Sequence, residues 1–322
     1  MLRSQTHKSA TGRKINSVQV PELPGLPRSL AWVAALWLCS SAAPVLPAGS
    51  STHISISGRD VAMWKPGGSA PSDGYPVVVF SHGFSGCNTQ STFLMEALAR
   101  GGYLVLAPNH GDARCGSVRR GAGELAGFRP EQPFRDEKQW SDATYKGRAA
   151  DIRALLDAAL REKSIQGVAV DAGRVGIAGH SLGGYTALGM AGAWPSWKDP
   201  RIKAVLALSA FCSPYVAKGD LGHLNVPVMY QGGTRDFGAT PAVRRFSGAY
   251  ERSSAPKYYV EFEGAGHFAW TDLNRSYQDL INAYSVAFFD RWVKGRAQPD
   301  SLANLTGRPW PERVSYLKVG LR

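Results

Sequence analysis

A chain of 322 residues, 44% hydrophobic and 19% charged, has the size and composition of an ordinary globular protein with a substantial core. Its formal net charge of +12 raises the question of an anionic partner. The basic residues are scattered, however, with Arg119-Arg120 and Arg244-Arg245 the densest spots, and neither aromatic-basic alternation nor zinc-finger spacing accompanies them, which argues against nucleic acid.

In chain order, residues 1–48 read as a leader. A polar, basic start with Arg13, Lys14 and Arg28 precedes the apolar run from Leu30 to Cys39, and small residues and prolines follow as far as Ala48. This is the make-up of a secretory signal, and the run is short for a membrane span. A secreted or periplasmic location and no stable span after cleavage are expected; a retained N-terminal anchor is the alternative. The part from 49 to 322 still carries a charge of about +8, because 1–48 hold five basic residues and one acidic one.

From residue 52 onward, strand-like and helix-like segments alternate. Ile54–Ser57 and Val61–Trp64 read as an opening hairpin, and the β-branched run Val77–Ser81 as a buried parallel strand. A helix at about 89–100 and a strand at 103–107 come next. An irregular, Gly- and Arg-rich stretch, 109–142, is long for a connection and points to function or mobility. The order continues with a helix at about 143–163, strand 174–178, a helix from about 182, strands 202–208 and 226–231, a helix from about 241, strand 257–262 and a helix near 276–294. Such alternation predicts a doubly wound, mostly parallel sheet with helices on both faces, in one domain spanning 49–322. Only 17 residues separate strands 202–208 and 226–231, too few for a large lid domain.

Chemistry concentrates where those strands end, since ligands bind beyond the carboxyl ends of such sheets. Ser181 lies in Gly-His-Ser-Leu-Gly, between strand 174–178 and the next helix. Glycines two before and two after the serine suit a turn too sharp for side chains, which pushes the hydroxyl out over the sheet edge. A serine needs a base, and the base an orienting acid. Asp236 lies in the loop after strand 226–231 and His267 in the loop after strand 257–262, so all three are due at one sheet edge. Backbone donors for an oxyanion are expected at Leu182, after the nucleophile, and at Phe84, in the His82-Gly-Phe-Ser-Gly loop.

These motifs, with Gly-Thr-Arg-Asp236 and Gly-Ala-Gly-His267, resemble the α/β-hydrolase superfamily. The likeness is strongest to the dienelactone-hydrolase-like, platelet-activating-factor-acetylhydrolase-like and bacterial cutinase-like polyester hydrolase group, over about 52–295. The resemblance implies that Phe84 and Phe211 flank the substrate; Tyr185, in the helix after the nucleophile, is counted with them. The chain departs from the group at Leu182, where those polyester hydrolases have Met, and in the longer 109–142 loop. The segment Ala207–Phe211 lacks the carboxylate that the acetylhydrolase-like branch carries after the preceding strand, which favours Asp236.

The expected function is serine-dependent hydrolysis of small or polymeric carboxylic esters by a monomer that requires no cofactor and no metal. A peptidase or amidase with the same triad, or a catalytically silent binding protein of the same fold, stays open. His82 is expected as a structural hydrogen bonder, His110 and Asp112 as bystanders, and Arg148 and Asp151 each in structural ion pairs. Of the three cysteines beyond residue 48, Cys87 and Cys115 lie in loops at the same end of the sheet and form the expected disulfide, although sequence alone does not fix the pairing.

Overall fold

In the computed structural model, residues 51–114, 129–295 and 301–321 are described. The expected leader, and Cys115 of the expected disulfide, lie outside them; Cys87 carries a free thiol 3.4 Å from Thr89 Oγ1.

The chain begins with an antiparallel hairpin, β1 (Thr52–Ile56) and β2 (Arg59–Trp64). Then follow β3 (Tyr75–Ser81), α1 (Thr92–Arg100), β4 (Leu104–Pro108), α2 (Lys146–Arg161), the short β5 (Ser164–Ile165) and β6 (Val168–His180). After these come α3 (Leu182–Leu188), β7 (Ile202–Leu208), α4 (Ser213–Lys218), β8 (Val228–Gly233), α5 (Thr240–Arg244), α6 (Ala249–Arg252) and β9 (Lys257–Phe262). The chain finishes with α7 (Gln278–Trp292), α8 (Ser301–Thr306) and β10 (Val314–Gly320).

The sheet runs β1-β2-β4-β3-β6-β7-β8-β9-β10, parallel from β4 through β9 and antiparallel at both edges. Successive residues of a strand face opposite sides, so β3 feeds two cores. Val77 and Val79 join Ile152 and Leu156 of α2 and Leu182 and Leu188 of α3, while Val78 and Phe80 join Leu94 and Leu98 of α1 and Ile281 and Phe288 of α7. Every residue of β3 is buried, which explains why its sequence is a continuous apolar run rather than an alternation.

Two features depart from the sequence reading. Strand β6 starts at Val168, six residues before the expected 174, because Gln166 and Gly167, both at positive φ, turn β5 back onto it. Strand β10 was not expected: it lies on the sheet edge against β9, partly exposed, and so shows no buried run. Between β7 and β8 stand only α4 and a 3₁₀ turn at Asp220–His223, with no lid domain.

Candidate active site

Ser181 sits where β6 breaks into α3, with φ 55° and ψ −116°. A non-glycine residue with that backbone is strained, and the neighbouring elements must hold it there. The glycines make room for them. A Cβ on Gly179 would meet the Gly183 carbonyl oxygen at 2.1 Å, and one on Gly183 the Ser81 carbonyl oxygen at 1.9 Å. Both positions are therefore closed to any side chain. Strand β7 anchors the turn, with Ser181 N–H donating to the Leu208 carbonyl at 3.0 Å.

His267 opens a 3₁₀ turn just beyond β9, and its Nε2 lies 2.9 Å from Ser181 Oγ. On its other side, Nδ1 lies 3.1 Å from Asp236 Oδ1 and 2.8 Å from Ser209 Oγ. Ser209 and Thr240 hydroxyls both donate to Asp236 Oδ2, at 2.6 and 3.1 Å. With its proton committed to Asp236, Ser209 can only accept from His267, so the Nδ1 proton is shared between Asp236 and Ser209. That leaves the Nε2 lone pair facing the Ser181 hydroxyl. Asp236 is buried, which by itself raises a carboxyl pKa. The hydrogen bonds from His267 and Ser209, the His267 charge and the Thr240 bond outweigh burial and bring it down to about 2.

A cavity of about 780 Å³ opens over Ser181 and His267. Phe84, Phe134, Phe211, Phe237 and Phe268 contribute to its lining, and Arg114, Arg135 and Arg235 also border it. Phe237, Phe268 and the adjoining Leu273 are, among the described residues, large apolar side chains exposed to solvent. Leu182, the other expected oxyanion donor, is the first residue of α3, where helical amides have no partner one turn back. A Cβ on Gly83 would lie 3.5 Å from Ser181 Cβ, so the loop carrying Phe84 passes directly beside the serine.

Thus Ser181, Asp236, His267, Phe84, Leu182 and Phe211 gather at one edge. Tyr185 does not join them, and its expected contact with substrate is corrected. It is fully buried, four residues on from Ser181 on the part of α3 that runs into the core. Its hydroxyl accepts from Trp194 Nε1 at 2.8 Å, and its ring stacks on Tyr215 at 4.9 Å. Arg148 and Asp151 both form ion pairs, Arg148 with Asp112 and Asp151 with Arg59.

Sequence reasoning missed Ser209, Gln90, His180 and Phe134. The signal for Ser209 was its place at the end of β7, where another branch of the likeness carries its acid. Gln90 and His180 join the loop carrying Phe84 to the turn carrying His267. His180 Nε2 donates to the His267 carbonyl at 2.8 Å and its Nδ1 accepts from Gln90 Nε2 at 3.1 Å, while Gln90 Oε1 accepts from Gly83 N–H at 3.0 Å.

The α/β hydrolase family model matches residues 78–318, and the chain belongs to that family. It is 26% identical over 222 residues to cutinase est2 of Thermobifida alba, covering 68% of this chain and 60% of that one. Against cutinase cut1 of Thermobifida fusca it is 25% identical over 222 residues, covering 68% and 56%. Against cutinase 1 of Thermobifida cellulosilytica it is 30% identical over 149 residues, covering 45% and 52%. The chain thus spans little more than half the length of several of these relatives. Among the described residues, no group of three or more His, Cys, Asp or Glu is placed to hold a metal ion, and no helix is long and apolar enough to cross a membrane.

Proposed function

We propose that the protein is an exported serine hydrolase that cleaves carboxylic esters, with short-chain, aryl or polyester-like substrates. The observation that carries the reading is the 2.9 Å contact between Ser181 Oγ and His267 Nε2, backed by a buried, ionised Asp236. His267 takes the Ser181 proton as Oγ attacks the ester carbonyl, and Asp236 and Ser209 steady the imidazolium that forms. The tetrahedral oxyanion is held by the Leu182 and Phe84 amides. Collapse expels the alcohol, which takes the proton from His267 and leaves Ser181 acylated. Water, deprotonated by His267, then attacks the acyl carbon and releases the acid.

An aromatic cleft, with no lid domain inserted between β7 and β8, supports apolar acyl or aryl groups and gives an extended chain room to lie across the site. Similarity to cutinases supports the ester reading, and the leader-like 1–48 supports export. The test is a panel of 4-nitrophenyl esters, a polyester film and peptide amides, run with Ser181→Ala and a fluorophosphonate probe. Ester turnover with labelling that disappears in Ser181→Ala is expected. Turnover of amides alone, interfacial activation on long acyl chains, or an unlabelled wild type would overturn the reading.

A further inference from the structure

Behind the loop that carries Phe84 lies an ion pair, its arginine buried and its carboxylate partly so, for which the proposed mechanism has no use. Arg148, on α2, is 2% exposed. Its Nε and Nη2 grip both oxygens of Asp112, at 2.9 and 2.7 Å. The same guanidinium donates through Nη1 to the His82 carbonyl at 2.7 Å and through Nη2 to the Gly83 carbonyl at 3.1 Å. Asp112 Oδ2 in turn accepts from Ser85 N–H at 3.2 Å. From the opposite side, Gly83 N–H donates to Gln90. The two amides flanking that of Phe84 are therefore both engaged by side chains.

We infer that Arg148, locked in place by Asp112, is a positioning residue that aims the Phe84 amide at the oxyanion. In a trans peptide the C=O and N–H of one plane point in opposite directions. Drawing the Gly83 carbonyl back to Arg148 therefore turns the Phe84 N–H of the same plane away from Arg148. A second plane is fixed in the same manner, with the His82 carbonyl on Arg148 and the Gly83 N–H on Gln90. Ser85 has φ 53°, so the loop is also held in a backbone that an unsupported residue rarely adopts. Burying the Arg148 charge, with Asp112 partly buried beside it, is a poor route to stability alone, since desolvation offsets much of their attraction. A rigid planar fork binding two carbonyls and one carboxylate is instead what orientation requires, and a lysine ammonium lacks that geometry.

The inference rests on ester hydrolysis through Ser181 and predicts a defect in the chemical step. Arg148→Lys and Arg148→Gln should lower kcat for 4-nitrophenyl acetate by about 10²-fold with KM unchanged, the pattern of a lost transition-state interaction. Affinity for a boronic acid, whose Ser181 adduct is tetrahedral and anionic, should fall in parallel with kcat. Arg201→Gln serves as the control for a merely structural role: it removes a comparable ion pair with Asp199, remote from the cleft, and should lower Tm while leaving kcat intact. All rates are to be taken per site titrated with fluorophosphonate, so that unfolded molecules do not count. Wild-type kcat and boronate affinity in both Arg148 variants would overturn the inference, and so would an equal kcat loss in Arg201→Gln. A wild type without esterase activity would instead overturn the proposed function.

Discussion

Ser209 Oγ lies 2.8 Å from His267 Nδ1, on the same flank of the imidazole as Asp236. The ring is thus oriented by a carboxylate and a hydroxyl together. Ser209→Ala removes one acceptor from His267 and one donor to Asp236. A hydrogen bond to a charged group contributes about 1.5–3 kcal/mol, so kcat should fall about 10- to 100-fold. Asp236→Asn, which forfeits the imidazole's orientation, should cost about 10⁴-fold. Steady-state kinetics of the two variants check the ranking; an inert Ser209→Ala would show that the carboxylate suffices.

Tyr185→Phe should affect stability rather than specificity. It leaves Trp194 Nε1 without its 2.8 Å acceptor in a buried site, a loss of about 1–3 kcal/mol. Urea unfolding should register the change, while the ratio of kcat/KM between acetyl and butyryl esters stays at the wild-type value. A shift in that ratio would return Tyr185 to the cleft.

Phe211→Ala should act the other way. Phe211 borders the cavity and packs edge-on against Phe134 at 5.0 Å, so its loss opens the aromatic wall. Removing such a side chain costs about 3–5 kcal/mol in a closed core; at the cleft edge, part of the loss should appear as a raised KM for aryl esters. Equal KM values for aryl and acetyl esters in wild type and variant would argue against that wall.

Acid should destabilise the fold in two stages. His82, His110 and His180 are buried, and burial is the main cause that pushes all three below the ordinary histidine value; His180 falls to about 3. Folded, they stay neutral; unfolded, they take a proton near pH ~6.5. Their neutral burial therefore costs nothing above that pH, and stability declines as pH falls below it, by about 1.4 kcal/mol per pH unit for each group. Asp236 has the opposite starting point. Its ionised form is favoured by folding, so its contribution is full above pH ~4 and is lost as pH drops towards 2. Urea midpoints at pH 7.5, 6 and 5 test the first stage, with His180→Gln expected to flatten the slope. A midpoint unchanged from 7.5 to 5 would contradict it.

The elements legible in the sequence were those whose signal is local. The buried run of β3, the glycines around Ser181 and the loops after β8 and β9 each carry their own reason for their conformation. Tyr185 misled because helix direction decides its environment: four residues past the half-buried Ser181, the chain has already entered the core. Ser209 and Gln90 act through partners 58 and 90 residues away, and neither residue type is distinctive on a strand end or in a turn. The Arg148–Asp112 pair was invisible for the same reason, since its grip on the His82 and Gly83 carbonyls exists only once α2 has packed beneath the loop.

The separation of 86 positions between Ser181 and His267 has a consequence during synthesis. Ser181, the proposed nucleophile, emerges from the ribosome long before His267, its proposed base, which reaches it only after β8 and β9 have joined the sheet beside β7. On that mechanism a nascent or truncated chain ending before His267 holds a serine without its base. On the proposed mechanism hydrolysis arrives with the last parallel strand, so the appearance of activity in a refolding or cell-free translation experiment would double as a clock for completion of the sheet.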